Sequence, residues 1–346
     1  MGYAKNHSKK EGSVKRRLVF FGIYLSILVG FLLTPTQAAP PASSGEAYQY
    51  YLKGILYESQ GNLLMAQEEM NKAVAIAPDS AYLRTTAAQI AFRLGQFTKA
   101  TQHITKAIEL DSDNVKNHIL AGQIYWAQGD SASAERELTT AVDLAPDDAE
   151  PLMNLALAVT PKDPKRAIQL YSDYLERHPG EVEIRERVAQ LYQGLGESEK
   201  AQKAWEKVLE WSPSSLRAHI SLAQIAEVNS DTTTAISHYE NVLAQDPSNL
   251  SLILRIGELR YRNNDMKEAF EAFSQAQSIA PESASANFWL ALLHEHRGEW
   301  KEAIGLLKNV ADKAPDPGVM LRLSYYYSQA GEGKKSIEIL EKLVRP

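Results

Sequence analysis

The chain has no cysteine. That excludes a disulfide framework, a thiolate metal site and a cysteine to carry a lipid, while leaving the redox compartment open. Long apolar runs are scarce as well: apart from Leu18 to Leu33 nothing approaches the length of a membrane span, so a multi-spanning protein is excluded. The body also lacks positive charge. With the six Lys and Arg and the single Glu11 of the first 17 residues set aside, 31 basic and 42 acidic residues remain, a net charge of −11. An acidic body repels phosphate backbones, so nucleic acid is not expected as a partner. What is present, 44% hydrophobic and 23% charged residues over 346, is the composition of an ordered chain with enough apolar surface for a core.

The N-terminus has an order of its own. Lys5, Lys9, Lys10, Lys15, Arg16 and Arg17 precede the 16 uncharged residues Leu18 to Leu33, and Thr34 to Pro41 follow with small and helix-breaking residues. Basic, apolar, then small is the layout of a secretory signal, with Thr36 and Ala38 placed for a cut after Ala38; the same run could instead remain as an anchor. Residues 1–39 are therefore read as a signal peptide or membrane anchor and 40–46, rich in Pro, Ser and Gly, as a linker. Either way the basic flank stays in the cytoplasm and the rest lies outside, periplasmic or tethered to the inner membrane if the source is bacterial. Contact with the membrane is expected only through this segment.

From Ala47 onward one pattern repeats. Pro78, Ser112, Pro146, Pro179, Pro213, Pro247, Pro281 and Pro315 stand 34 residues apart, with a single step of 33 before Pro179. Counting each unit from its first helical residue, the eighth place holds Gly54, Ala88, Gly122, Ala156, Ala189, Ala223, Gly257 and Ala291. A glycine inside a helix costs about 1 kcal/mol against alanine, so a small residue kept at one place needs a packing reason. The second half of each unit supplies it: Ala66, Ala100, Ala134, Ala167, Ala201, Ala235, Ala269 and Ala303 give a matching small surface. Between the halves lie turn signals such as Gly61-Asn62, Gly196-Glu197, Asn229-Ser230-Asp231 and Asn263-Asn264-Asp265, where Gly or Asn ends one helix and Asp or Ser caps the next. The fourth unit replaces its glycine with Thr160-Pro161-Lys162-Asp163-Pro164. A ninth unit ends at Pro346, and the Lys and Glu residues of its second helix read as a polar terminal cap.

The residues Tyr50, Gly54, Tyr57, Gly61, Ala66, Met70, Ala73 and Pro78 of the first unit resemble the tetratricopeptide repeat, whose pattern is W-x2-L-G-x2-Y, A-x3-F and a terminal Pro. The resemblance runs from Ala47 to the C-terminus. It implies an all-α fold, a right-handed α-solenoid of about nine helix-turn-helix repeats over 47–346, divided at 47–80, 81–114, 115–148, 149–181, 182–215, 216–249, 250–283, 284–316 and 317–346. It also implies that places 2, 5, 9 and 12 of each first helix line a concave face that holds a protein or peptide segment. Those columns give the expected groove residues Tyr48, Tyr51, Tyr82, Gln89, Phe92, Gln123, Trp126, Met153, Gln190, Gln224, Leu254, Glu258 and Phe288, together with Ile119, Ile220, Leu292 and Leu321. Amides facing a concavity can pair with an extended backbone, and exposed aromatics can anchor a ligand. The family's carboxylate clamp requires Lys and Asn where Tyr51 and Ile55 stand, so a chain-terminal acid is not the expected ligand.

Sites for chemistry do not emerge. His294-Glu295-His296 lacks the spacing that puts two histidines on one helix face, Gly331 to Ser336 departs from the phosphate-loop pattern, and Asp111 to Asn114 is followed by Lys116 where a calcium loop needs glycine. No enzyme activity, metal or cofactor is expected. The expected function is a non-catalytic scaffold or adaptor for envelope, pilus, secretion or polysaccharide-export assembly; a glycan-binding solenoid that stacks sugars on the groove aromatics is the alternative. The alanine pairing makes its own prediction. Ala201→Leu should overpack its helix pair and lower stability by about 1–3 kcal/mol, read as a fall in the thermal midpoint; an unchanged midpoint would refute the assigned spacing.

Overall fold

The computed structural model describes residues 45–313 and 316–344. The leader, most of the linker, Pro315 and Pro346 lie outside them. Among the described residues there are eighteen helices and no strand. They alternate as first and second helices: α1 (Gly45–Ser59) pairs with α2 (Leu63–Ile76) and α3 (Ala81–Arg93) with α4 (Phe97–Leu110), followed by α5 (Val115–Ala127); after Gln128 come α6 (Ser131–Leu144), then α7 (Ala149–Val159) paired with α8 (Pro164–Arg177) and α9 (Val182–Gly194) with α10 (Ser198–Trp211). The series continues with α11 (Leu216–Val228) and α12 (Thr232–Leu243), α13 (Leu250–Arg262) and α14 (Met266–Ile279), α15 (Ala284–His296) and α16 (Trp300–Lys313), then α17 (Pro317–Gln329) and α18 (Gly333–Val344). This is the all-α tetratricopeptide-type solenoid architecture. The chain divides into two compact units, one ending at Gln128 and the other beginning at Gly129.

The small residues sit where the spacing puts them. All eight alanines from Ala66 to Ala303 have 0% exposed surface. A Cβ added to Gly54 would lie 3.4 Å from the Ala66 carbonyl oxygen and 3.2 Å from Met70 Cε, so the two helices lie close enough that even a methyl group there would press on Met70. One turn along the second helix, a large side chain fills the space beneath the next repeat. Met70 shares a cluster with Leu83, Ala87 and Ile90 of α3, Trp205 with Ala218, Leu222 and Ile225 of α11, and Phe273 with Leu290 and Leu293 of α15.

The turns inside the repeats are built alike. Gly61 and Gly196 adopt φ of +76° and +73°, and the residue after each donates its amide back over the turn, Asn62 to Tyr57 O at 2.9 Å and Glu197 to Tyr192 O at 3.0 Å. In the asparagine-containing turns the left-handed residues are Ser230 (φ 60°) and Asn264 (φ 67°), so it is the serine and not Asn229 that carries the strained conformation in the sixth repeat. Asp130 and Asp231 cap the helices that follow, accepting from Ser133 N and Thr234 N, and these bonds hold both carboxyls below their ordinary range. Asp265 makes no such cap. In the fourth repeat Asp163 N reaches Val159 O at 2.8 Å with no left-handed residue, and Pro164 begins the next helix at a position where its missing N–H is no loss.

A second regularity lies between repeats. Each terminal proline or serine from Pro78 to Pro281 leaves a carbonyl outside the helix, and a side chain donates to it. In five repeats the donor comes six residues later, on the first helix: Arg84 to Pro78 O, His118 to Ser112 O, Arg185 to Pro179 O, His219 to Pro213 O and Asn287 to Pro281 O, at 2.5–3.1 Å. At Pro146 and Pro247 it comes from a second helix, Arg177 at 3.1 Å and Gln275 at 3.2 Å. This accounts for two buried histidines, His118 and His219. A carbonyl only accepts, so His219 Nε2 carries a proton, and in the neutral ring Nδ1 then accepts from His238 Nδ1, 3.0 Å away.

Two predictions follow from this packing. A Cβ at Gly257 would stand 2.6–2.9 Å from the Phe273 ring, which is fully buried and stacked on Trp289, so Gly257→Ala should destabilise by about 1–3 kcal/mol. Gly305, inside α16, would bring its Cβ near nothing within 4 Å, and Gly305→Ala should stabilise by about 1 kcal/mol. Chemical denaturation of the two variants checks the opposite signs. The histidine pair predicts a pH dependence. Burial first, then the neighbouring His219, lowers the His238 pKa, against an opposing pull from Glu206. The folded state then binds fewer protons than the unfolded one, so stability is present above the ordinary histidine pKa and is lost as pH falls through the lowered one. Melting midpoints between pH 7 and 5 should fall less steeply in His238→Gln than in the parent.

Candidate functional site

The expected inner columns fall on first helices in both units, and each unit presents its own face. In the first unit the tyrosines come together. The Tyr48 and Tyr51 rings stack at 6.1 Å, Tyr51 meets Tyr82 edge-on at 5.5 Å, and the Tyr51 and Tyr82 hydroxyls are 2.6 Å apart. Burial, then the bond to Tyr82, raises the Tyr51 pKa, so the Tyr51 hydroxyl stays protonated. Tyr48 is 37% exposed and the other two are half-buried. Gln89 is exposed on α3, whereas Phe92 is half-buried against the Ala88 cluster and 5.9 Å from Phe97. Glu58, next along α1, is held by Arg93. On α5, Gln123 and Trp126 are half-buried and Ile119 is 4% exposed, so that last position belongs to the core and not to a water-facing column.

In the second unit the columns are more internally engaged. Met153 packs half-buried on the Leu152 and Leu155 cluster, and Leu254 lies between the Ile253 and Phe273 clusters. Gln190 is half-buried and Gln224 exposed. Glu258 accepts from Arg255 Nη1 at 3.0 Å; Arg255 also grips Glu227, which accepts from the Tyr239 hydroxyl at 2.8 Å. Burial pushes the Glu227 carboxyl up, but the bonds from Arg255 and Tyr239 outweigh it and hold it below the ordinary range; burial and then Glu227 push Tyr239 up to about 12. Phe288 stands edge-on to Trp289 at 6.0 Å with the Arg322 guanidinium 5.9 Å over its ring. Leu292, at 8% exposure, is core, whereas Ile220 and Leu321 are open at 37% and 54%.

Links between neighbouring first helices cross these columns: Glu58 to Arg93, Glu186 to Arg217, Glu227 to Arg255, and Glu295 to Arg322 and the Tyr326 hydroxyl. They were not expected from the columns read singly. The signal that could have found them is an acid on one first helix and an arginine on the next, spaced close to the repeat length. The same links consume the one tempting metal sequence. His294 Nδ1 lies 2.5 Å from Glu299, with its ring edge-on to Phe270, and Glu295 turns to Tyr326. An open cleft of about 350 Å³ lies away from the columns, between α14 and α16 over α15, with Phe270, Leu290 and Leu306 apolar and His294 and Glu302 polar in its lining. Among the described residues no group of three His, Asp or Glu is placed to hold a metal, and no helix is long and apolar enough to cross a membrane.

Residues 149–345, more than half of the chain, match the family model of the cilia and flagella-associated protein 70 C-terminal domain, and residues 91–157 and 49–80 match tetratricopeptide-repeat models. No curated protein matches the chain. Among solved structures it is similar to the crystal structure of MamA protein, at 19% identity over 49% of this chain and 92% of that one, with a TM-score of 0.44. PilF of Pseudomonas aeruginosa is 21% identical over 60% of this chain and 95% of its own, TM-score 0.44, and the Naa15/Naa10 structure bound to HypK-THB is 14% identical over 87% and 58%, TM-score 0.45. The chain belongs to the tetratricopeptide-repeat family, whose repeats serve as protein–protein interaction scaffolds.

Proposed function

We propose that the protein is a non-catalytic adaptor on the exported side of a membrane, and that it holds an extended or helical partner segment against the inner columns of its first helices. The observation that carries the reading is the tyrosine cluster of the first unit. Three aromatic rings, partly exposed and fixed to one another on two helices, form a preorganised anchor, and Gln89, two helical turns beyond Tyr82 on α3, offers an exposed amide. Aromatic anchors of this kind dominate binding energy at interfaces. Their arrangement favours a peptide over a sugar, because the Tyr48 and Tyr51 rings turn faces to one another and so offer less free surface for stacking. The columns favour an apolar or amide-rich segment over an acidic one, since Glu58, Glu227 and Glu258 add negative charge even when paired.

The exported setting rests on the leader alone: six basic residues, the run Leu18 to Leu33 and the small residues up to Ala38. An assembly factor for an envelope, pilus, secretion or polysaccharide-export machine is the role that combines this address with a binding solenoid.

Photo-crosslinking in cells tests the reading, with the reactive side chain at Gln89 and, as control, at the exposed Gln102 on α4. A defined protein captured from Gln89 and not from Gln102, with capture reduced about tenfold or more by Tyr51→Ala, is the expected result. Equal capture from both positions, or none, would remove the groove. N-terminal sequencing of the same material should give Ala39 if the signal is cut; an intact N-terminus on a protein that added protease cannot reach would refute the exported setting.

A further inference from the structure

Two columns of the repeat are broken in the same cleft. Eight places after the buried alanine, the second helices carry Val74, Ile108, Val142, Leu175, Leu209 and Leu243, but in the seventh repeat that place is Gln277. Two places after the alanine, seven repeats hold a polar side chain, from Glu68 to Glu271, and the eighth holds Gly305. Gln277 on α14 and Gly305 on α16 both line the open cleft of about 350 Å³ over α15. Packing accounts for the helical glycines Gly54 and Gly257, each of which has a neighbour in the way of a Cβ. Gly305 has none, so its helix-propensity cost goes unexplained by the fold, and its effect is to leave one wall of the cleft bare.

The cleft has polar groups at its two ends and apolar walls between them. At one end His294 touches Phe270 edge-on and its Nδ1 lies 2.5 Å from Glu299, three residues before Glu302 on α16, which brings His294 and Glu302 together. Gln277 stands seven residues beyond Phe270 on α14, about 10 Å further along at 1.5 Å per residue. Leu290 and Leu306 line the space between. Both ends accept hydrogen bonds. The Pro281 carbonyl only accepts, so Asn287 meets it with Nδ2 at 3.1 Å; Asn287 Oδ1 then takes Gln277 Nε2 at 2.6 Å, and Gln277 Oε1 is left with no donor. The Glu299 carboxylate also only accepts, so His294 Nδ1 carries a proton, and Nε2 of the neutral ring accepts. Glu302 is exposed and, like Ser274, makes no hydrogen bond or ion pair among the described residues. The Arg297 guanidinium lies over the Phe270 ring at 4.4 Å and supplies no counter-charge to Glu302.

We propose that this cleft binds a primary ammonium group on an aliphatic stem that carries a second N–H donor at its far end. The ammonium pairs with the Glu302 carboxylate, the stem lies on Leu290 and Leu306 in the space that Gly305 leaves, and the far donor meets Gln277 Oε1. The net charge of −11 on the body favours a ligand of this sign. A free diamine has this chemistry, and so has a lysine residue of a partner, whose backbone N–H is the second donor. The site lies apart from the inner columns, so its failure would leave the adaptor reading standing, and the reverse.

Leucine-methyl NMR of the full chain tests it, with 1,5-diaminopentane as the free diamine and N-acetyl-lysine methylamide as the peptide lysine. Each should shift the Leu290 and Leu306 methyl signals saturably, one of them with a Kd at or below about 5 mM. A lysine derivative that binds at least as tightly as the diamine assigns the site to a partner's lysine; one that binds less tightly assigns it to a free diamine. Glu302→Gln should weaken binding about tenfold or more. Gly305→Gln, which puts back the polar side chain of the other repeats, should do the same while the remaining methyl signals keep their positions, so that lost binding is separated from lost folding. Pentylamine, with no second donor, should bind severalfold more weakly than the diamine. The proposal is overturned by the absence of saturable shifts up to about 20 mM, by 1-pentanol shifting the same signals equally, or by binding that survives Glu302→Gln or Gly305→Gln.

Discussion

Helix contact through a methyl group is the constraint on which the rest depends. An alanine with no exposed surface recurs on eight second helices, and within each unit the first helix packed on it carries glycine or alanine. Any larger pair would hold the helices apart. The Phe273 and Trp289 rings, stacked at 5.5 Å and nearly parallel, would then lose the position that a bare Gly257 leaves them. The spacing between helices thus fixes how deeply the large residue one turn further on can enter the next repeat, and so the pitch at which repeats follow one another. Specificity for one stacking comes from the smallest side chains, and most of the apolar burial from the largest.

The inner columns inherit this rigidity. Their side chains project from first helices packed against second helices, and neighbouring first helices are further tied by arginine–carboxylate links such as Glu227 with Arg255. A face so held would lose little freedom on ordering a partner. The tyrosine cluster extends the same economy to aromatic groups, since Tyr51 and Tyr82 have already lost rotamer freedom through their shared hydrogen bond.

Much of this was legible in the sequence because it repeats. Alanine at one place in eight repeats, and a large apolar or aromatic residue four places on, fix the assignment, and Trp205, Tyr239 and Phe273 are core as their place requires. The groove was less legible because exposure within a column depends on what the neighbouring repeats bring to it. Ile119 and Ile220 share a place, yet one is 4% exposed and the other 37%. The donors to the inter-repeat carbonyls escaped notice for another reason: arginine, histidine and asparagine perform one task, so the column shows no common letter although in five repeats the donor is the sixth residue after the terminal position.

The two ways of satisfying the inter-repeat carbonyls bear on the order in which the chain acquires structure. Where Arg84, Arg185 or His219 reaches back six residues, the turn closes as soon as one turn of the following helix exists, at the entropy cost of a very short loop. At Pro146 and Pro247 the donors Arg177 and Gln275 lie 31 and 28 residues away, and the bond waits until a whole further repeat has folded back. Growth by local closure is interrupted at those two joints. The segments between them, rather than single repeats, are the natural cooperative units of the second half of the chain.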